Sequence, residues 1–177
     1  MLGIERGCEW YDKLYEEDER NKYSPKGGLY VKAYSLISKG NILDIGCGSG
    51  RLVKVLQDNN YSGQYLGVDF SKNAIDYCKK TYPFYSFRVS DVFDISMERF
   101  DTIISLELFE HINDDIELIK KIPKNKTLIF SVPSFGGPSH VRYFEDITEI
   151  KKRYNCLLNF EEDIIIDRIF LFKTVRL

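Results

Sequence analysis

Apolar and polar positions from Asn41 onward follow two alternating rhythms. Short, nearly uninterrupted apolar runs near 41–45, 64–69, 85–89, 100–105 and 127–132 predict buried strands. Between and after them, apolar residues recur at helical spacing near 50–59, 71–82, 113–121 and 146–154. Leu52, Val55 and Leu56 share one predicted helix face, as do Ala74, Ile75 and Cys78, and Ile112, Ile116 and Ile119. Strands alternating with helices predict a parallel sheet covered on both faces. Residues 8–39 read as two helical stretches, one around Trp10, Tyr11, Leu14 and Tyr15, the other around Leu29, Val31, Leu36 and Ile37. The Ser24-Pro25-Lys26-Gly27-Gly28 run separates them. Near the end, the runs 164–166 and 169–172 flank Asp167-Arg168 and predict an antiparallel hairpin. The expected fold is α/β, a mostly parallel seven-stranded sheet with a C-terminal antiparallel hairpin and helices on both faces.

Composition narrows the class. A length of 177 residues suits one domain, 1–177, divided into N-terminal helices (1–40), a core (41–135) and a loop with the terminal hairpin (136–177). Hydrophobic residues at 44% and charged residues at 29% are an ordinary globular balance. A formal net charge of -2 supplies no overall positive field for long nucleic acid, and the cluster Lys120, Lys121, Lys124 and Lys126 reads as solvated surface. Cys8, Cys47, Cys78 and Cys156 are scattered without a CxxC pair, a pattern that suits a reducing cytoplasm. Glu5 and Arg6 interrupt the N-terminus before a signal-peptide core can form, and no run of about 20 apolar residues is present to span a bilayer.

The chemistry concentrates in Ile42-Leu43-Asp44-Ile45-Gly46-Cys47-Gly48-Ser49-Gly50, where a buried strand opens through glycines into a helix. Glycine permits positive φ and close ligand approach, and the helix start offers unpaired N–H groups. A dinucleotide fingerprint places its third glycine or alanine at position 51; Arg51 stands there, which disfavours a hydride-transfer enzyme. Asp69, followed by Phe70, ends the second strand about 20 residues on, where a ribose diol would lie. Asp91-Val92 closes the third strand with another acid, suited to an amino group of adenine.

This order resembles the class I S-adenosylmethionine methyltransferases, closely over 41–135 and loosely in the flanks, and implies their Rossmann-like fold. The resemblance assigns Asp44, Gly46, Cys47, Gly48 and Gly50 to the methionine end and Asp69 to the ribose. It places Phe70, Asp91 and Val92 at adenine, and Leu106 at the cofactor wall. It also implies that the 1–40 helices cover the cofactor and acceptor cleft, that 41–135 is the cofactor-binding core, and that 136–177 supplies an acceptor loop before the terminal hairpin.

The fourth strand ends in Leu106-Glu107-Leu108-Phe109-Glu110-His111, and the only other histidine, His140, follows the fifth strand. If 107–111 is a helical turn, Glu107, Glu110 and His111 share one face. Two carboxylates and two imidazoles suit Mn²⁺, Fe²⁺, Zn²⁺ or, with more waters, Mg²⁺. The ExxEH motif with a later histidine is similar to metal-dependent O-methyltransferases of the ubiquinone pathway and to those modifying the terminal ribose of small RNAs. That resemblance implies Glu107, Glu110, His111 and His140 as ligands; Val141-Arg142-Tyr143-Phe144 follows the family pattern only loosely. The expectation is O-methylation of a small sugar, polyol, phenol or phosphate-bearing molecule with divalent-metal assistance, by a monomer or homodimer. Alternatives are an RNA 2′-O-methyltransferase, or a metal-independent enzyme with His111 or His140 as general base. Tyr11, Tyr15, Tyr23, Arg142 and Tyr143 are candidate walls of the acceptor pocket.

Overall fold

A computed structural model describes residues 2–16 and 27–177. Five strands run parallel: β1 (Ile42–Ile45), β2 (Tyr65–Asp69), β3 (Ser86–Val89), β4 (Thr102–Leu106) and β5 (Thr127–Pro133). The hairpin β6 (Leu158–Ile166) and β7 (Ile169–Arg176) adds two antiparallel strands, giving the order β3-β2-β1-β4-β5-β7-β6. This is the expected seven-stranded Rossmann-like sheet. Strand order reverses between β1 and β4, and in such sheets the crevice beyond the carboxyl ends at that point receives ligands.

Helices α1 (Cys8–Glu16), α2 (Gly27–Leu36), α3 (Arg51–Asp58), α4 (Lys72–Thr81), α5 (Asp115–Lys121) and α6 (Ile147–Tyr154) surround the sheet. The Ser24-Pro25-Lys26 part of the expected break, and Tyr23, lie outside the described residues. The helix anticipated from 113 starts at Asp115; Ile112 instead follows a 3-10 turn, Phe109–His111, and the backbone N–H of Asn113 donates to the Glu5 carboxylate at 3.0 Å. Among the described residues, no helix is long and apolar enough to cross a membrane.

Period-two alternation splits the core between the two sheet faces. Leu43, Ile45, Ile103, Leu128 and Phe130 pack toward the face that holds Leu118, Ile119, Ile150 and Tyr154. Ile42, Ile104 and Ile129 pack on the other with Leu29, Leu52, Leu56 and Ile75. Phe130 is central to the first: its ring lies 5.1 Å from Phe172, 5.4 Å from Phe109 and 5.8 Å from Tyr154. Phe130→Ala is expected to cost about 3–5 kcal/mol in urea unfolding, through lost transfer energy and a residual cavity; a change below 1 kcal/mol would contradict this packing.

Candidate functional site

The turn after β1 is built for close approach. Gly46 and Gly48 have φ of 72° and 51°, the left-handed region that side chains disfavour. A Cβ on Gly46 would meet Leu108 Cδ1 at 2.8 Å, and one on Gly48 would meet the Tyr15 hydroxyl at 2.6 Å. Gly50, also left-handed, is the residue before α3.

Asp69 at the end of β2 orders this turn. Its Oδ2 accepts from the Gly48 N–H and its Oδ1 from the Ser71 N–H, both at 2.9 Å. Burial pushes its carboxyl above the usual range, while the Ser71 and Gly48 N–H groups pull the other way. Each carboxylate oxygen has capacity for a further hydrogen bond, which suits a diol. Ser71 caps α4 by accepting from the Ala74 N–H at 3.2 Å, and its hydroxyl donates to Asp12 at 2.6 Å, tying α1 over the turn. Asp91 accepts from the Phe93 N–H at 2.9 Å, which fixes the carboxylate at the mouth of a short 3-10 turn.

A cavity of about 650 Å³ lies over these carboxyl ends. Its walls bring together Gly46, Cys47, Gly48, Asp69, Phe70, Asp91, Val92, Leu106, Glu107, Glu110, His111 and His140. Asp44 and Gly50 do not line it directly. Asp44 is buried, and its carboxylate accepts from the Tyr65 hydroxyl at 2.7 Å. The first helix supplies a roof of Trp10, Tyr11, Leu14 and Tyr15, with Tyr11 against Phe70 at a ring separation of 5.2 Å. Burial pushes the Tyr11 hydroxyl up to about 12. Tyr143 lies outside the walls; Arg142 is turned toward backbone carbonyls of 109–113.

At the β4 and β5 end, Glu110, His111 and His140 each offer a ligand atom within 4.8 Å of the others. Glu110 is 1% exposed, and its Oε1 lies 3.7 Å from His111 Nε2. His111 Nδ1 is 2.9 Å from the Ser139 carbonyl and His140 Nδ1 is 3.1 Å from the Phe135 carbonyl. A carbonyl only accepts, so both Nδ1 atoms carry the proton in the neutral rings and both Nε2 atoms present lone pairs. Glu107 does not share the helical turn assumed for it. Its φ is 57°, its N–H donates to the Ser131 hydroxyl at 3.0 Å, and that hydroxyl donates to Glu107 Oε1 at 2.9 Å. The left-handed backbone and the Ser131 contacts turn the residue toward β5, and it does not join the 4.8 Å group.

The loop after β5, Gly136 to Ser139, lines the cavity, whereas two other wall residues had no signal in the chain itself. Tyr30 comes from α2, and Glu5 from a segment that donates Gly3 N–H to the His140 carbonyl at 2.8 Å. Each arrives by a long-range contact that periodicity does not encode. The anchoring of α1 by Asp12 is of the same kind.

Desolvation pushes the Asp44 carboxyl up to about 7 from 3.8, partly offset by the Tyr65 hydroxyl. A raised carboxyl favours the protonated folded state, so its contribution is complete below 3.8 and lost as pH rises through about 7. Asp44→Asn is therefore expected to gain stability relative to the parent across that window, by up to about 4 kcal/mol in ligand-free urea unfolding. Parallel stability curves for the two proteins would refute the assignment.

Residues 42–124 match a methyltransferase-domain family. A ubiquinone biosynthesis O-methyltransferase of Coxiella burnetii is 25% identical over 118 residues, covering 63% of this chain and 50% of that enzyme. Its counterpart from Rhodopseudomonas palustris is 34% identical over 89 residues, covering 48% and 34%. The chain thus spans half or less of the length of these curated relatives. In structure, the N-methyltransferase NodS of Bradyrhizobium japonicum WM9, solved with S-adenosyl-L-homocysteine, superposes with a TM-score of 0.73 at 16% identity, over 96% of this chain and 97% of that one. The family match thus covers residues 42–124, the named relatives are methyltransferases, and the chain shares its fold with the superposed N-methyltransferase.

Proposed function

We propose that this protein transfers the methyl group of S-adenosylmethionine to an oxygen of a small acceptor, with Glu110, His111 and His140 holding a divalent cation beside that oxygen. The observation that carries the reading is the single cavity joining the glycine turn, Asp69 and Asp91 at one end to those three residues at the other. The donor types fit a cation: one carboxylate and two imidazoles grouped within 4.8 Å, each imidazole with its Nδ1 against a backbone carbonyl, which leaves Nε2 as the nitrogen to bind a cation. The relatives named as O-methyltransferases favour an oxygen acceptor.

The sulfonium methyl is already electrophilic, so the residues of the chain act mainly by positioning. The Gly46 to Gly48 turn and Asp69 hold the nucleoside half, and Tyr11 and Phe70 border it. A divalent ion at the three-residue group would lower the pKa of an acceptor hydroxyl and fix its direction. The α1 roof limits water beside the reacting atoms.

Calorimetry and turnover test this together. S-adenosyl-L-homocysteine is expected to bind the parent and Glu110→Gln alike and to bind Asp69→Ala at least about tenfold more weakly. Methyl transfer to a panel of phenols and polyols is expected to fall by about a hundredfold on chelation and in Glu110→Gln. Turnover that survives both treatments but is lost in His111→Ala would replace the cation with a general base. Absence of any cofactor binding would remove the methyltransferase reading itself.

A further inference from the structure

The two loops that carry the histidines come from different strands, and one side chain joins them. Arg142, two residues after His140, turns away from the cavity and forks into the preceding loop. Its Nη1 donates to the carbonyls of Phe109 and Ile112, and its Nη2 donates to the carbonyl of Asn113 at 2.9 Å. These carbonyls bracket the 3-10 turn that contains Glu110 and His111, where the exit of a helical turn leaves acceptors without intrahelical donors. One residue earlier, the Val141 N–H donates to the Glu110 carbonyl at 2.7 Å. Residues 141 and 142 thereby bind four of the five carbonyls from 109 to 113.

The guanidinium is held in turn. Arg142 Nη2 lies 3.3 Å from Asp115 Oδ1, and Asp115 is 1% exposed. Arg153 grips the same carboxylate through Nε at 2.9 Å and Nη2 at 2.7 Å, and the Tyr154 hydroxyl donates to it at 2.6 Å. Asp115 opens α5 and Arg153 and Tyr154 close α6, so the fork is braced by two helices on the sheet face. A planar fork with several N–H donors in fixed geometry can serve several carbonyls and a carboxylate together, which a single ammonium cannot.

We propose that Arg142 is a positioning residue that sets the register between the 109–113 loop and the 135–140 loop, so that the His111 and His140 rings stay together beside Glu110. The link to the rings is short. His111 Nδ1–H donates to the carbonyl of Ser139, on the strand of chain that Arg142 anchors, and the two rings meet edge to face at 4.8 Å. Loss of the fork lets the loops slide, and the Ser139 carbonyl leaves the His111 ring. The functional weight of this role rests on the proposed acceptor-side use of Glu110, His111 and His140; the structural role stands apart from it.

The chain has only two histidines, so long-range ¹H–¹⁵N spectra read both imidazoles directly. At a pH where the rings are neutral, the parent protein is expected to show both as Nδ1–H tautomers. Arg142→Gln and Arg142→Lys are each expected to convert His111 to a mixed tautomer and to weaken Mn²⁺ binding about tenfold. Both are expected to keep S-adenosyl-L-homocysteine affinity within about twofold, because the nucleoside residues are not touched. Arg142→Lys keeps a cation beside Asp115 and decides the matter if the Gln variant does not fold. Unchanged tautomers in the folded variants would overturn the proposal. Should the parent itself bind no Mn²⁺, the cation reading fails while the tautomer comparison still judges Arg142.

Discussion

Two backbone N–H groups from different loops, those of Gly48 and Ser71, converge on the buried carboxylate of Asp69. A carboxylate removed from water needs such donors, since an unpaired buried charge is costly. Satisfying Asp69 therefore fixes the glycine turn after β1 against the exit of β2, and Ser71 passes the constraint on to Asp12 of α1. The cavity floor, its acidic edge and its roof follow from that one junction. Its position at the β1/β4 reversal is dictated by the sheet, because two crossovers in opposite directions leave a crevice there.

What was legible in the chain tracks how local the signal is. Strands with continuous apolar runs, such as 42–45 and 102–106, and helices with one apolar face, such as Arg51–Asp58, declare themselves because burial acts on every turn or every second residue. The Gly46, Gly48, Asp69 and Asp91 set is equally local: Asp69 closes β2 and Asp91 follows β3 by two residues, so each is found from a strand whose length is readable. Glu107 marks the limit of that method. Spacing places it three residues before Glu110, but its φ of 57° and the Ser131 hydroxyl, brought in by β5 pairing, turn it elsewhere. The Arg142, Asp115, Arg153 and Tyr154 cluster was illegible for the same reason, since its partners lie up to 39 residues apart and meet only after the sheet has formed.

The two halves of the cavity are consequently held by different means. At the nucleoside end, backbone geometry does the holding: left-handed glycines, a helix start and strand ends leave little freedom for side-chain variation. At the other end, the side chains stand on two loops fixed by carbonyl contacts from Ser139, Phe135, Val141 and Arg142. Loop contacts of this kind tolerate exchange of the exposed residues while the braced ones stay put. An acceptor preference can then be altered without disturbing the cofactor floor, which is consistent with one fold serving many acceptors.

Charge in the cavity walls gives the arrangement a direction. Among the described residues, Glu5, Asp69, Asp91, Glu107 and Glu110 line the cavity beside Arg6 and Arg51, so the carboxylates of that set outnumber its cations. A sulfonium carries a positive charge that its demethylated thioether lacks. Under the proposed function, the same walls attract the sulfonium donor more strongly than its demethylated product. Burial sharpens the difference: it pushes the Asp69 carboxyl above the usual carboxylate range, and a nearby cation favours ionisation while a neutral thioether does not. On that reading, transfer of the methyl group would discharge the ligand and weaken its hold when the product has to leave. An acidic lining would then favour product release as well as donor capture, with no movement of the α1 roof required for the discrimination.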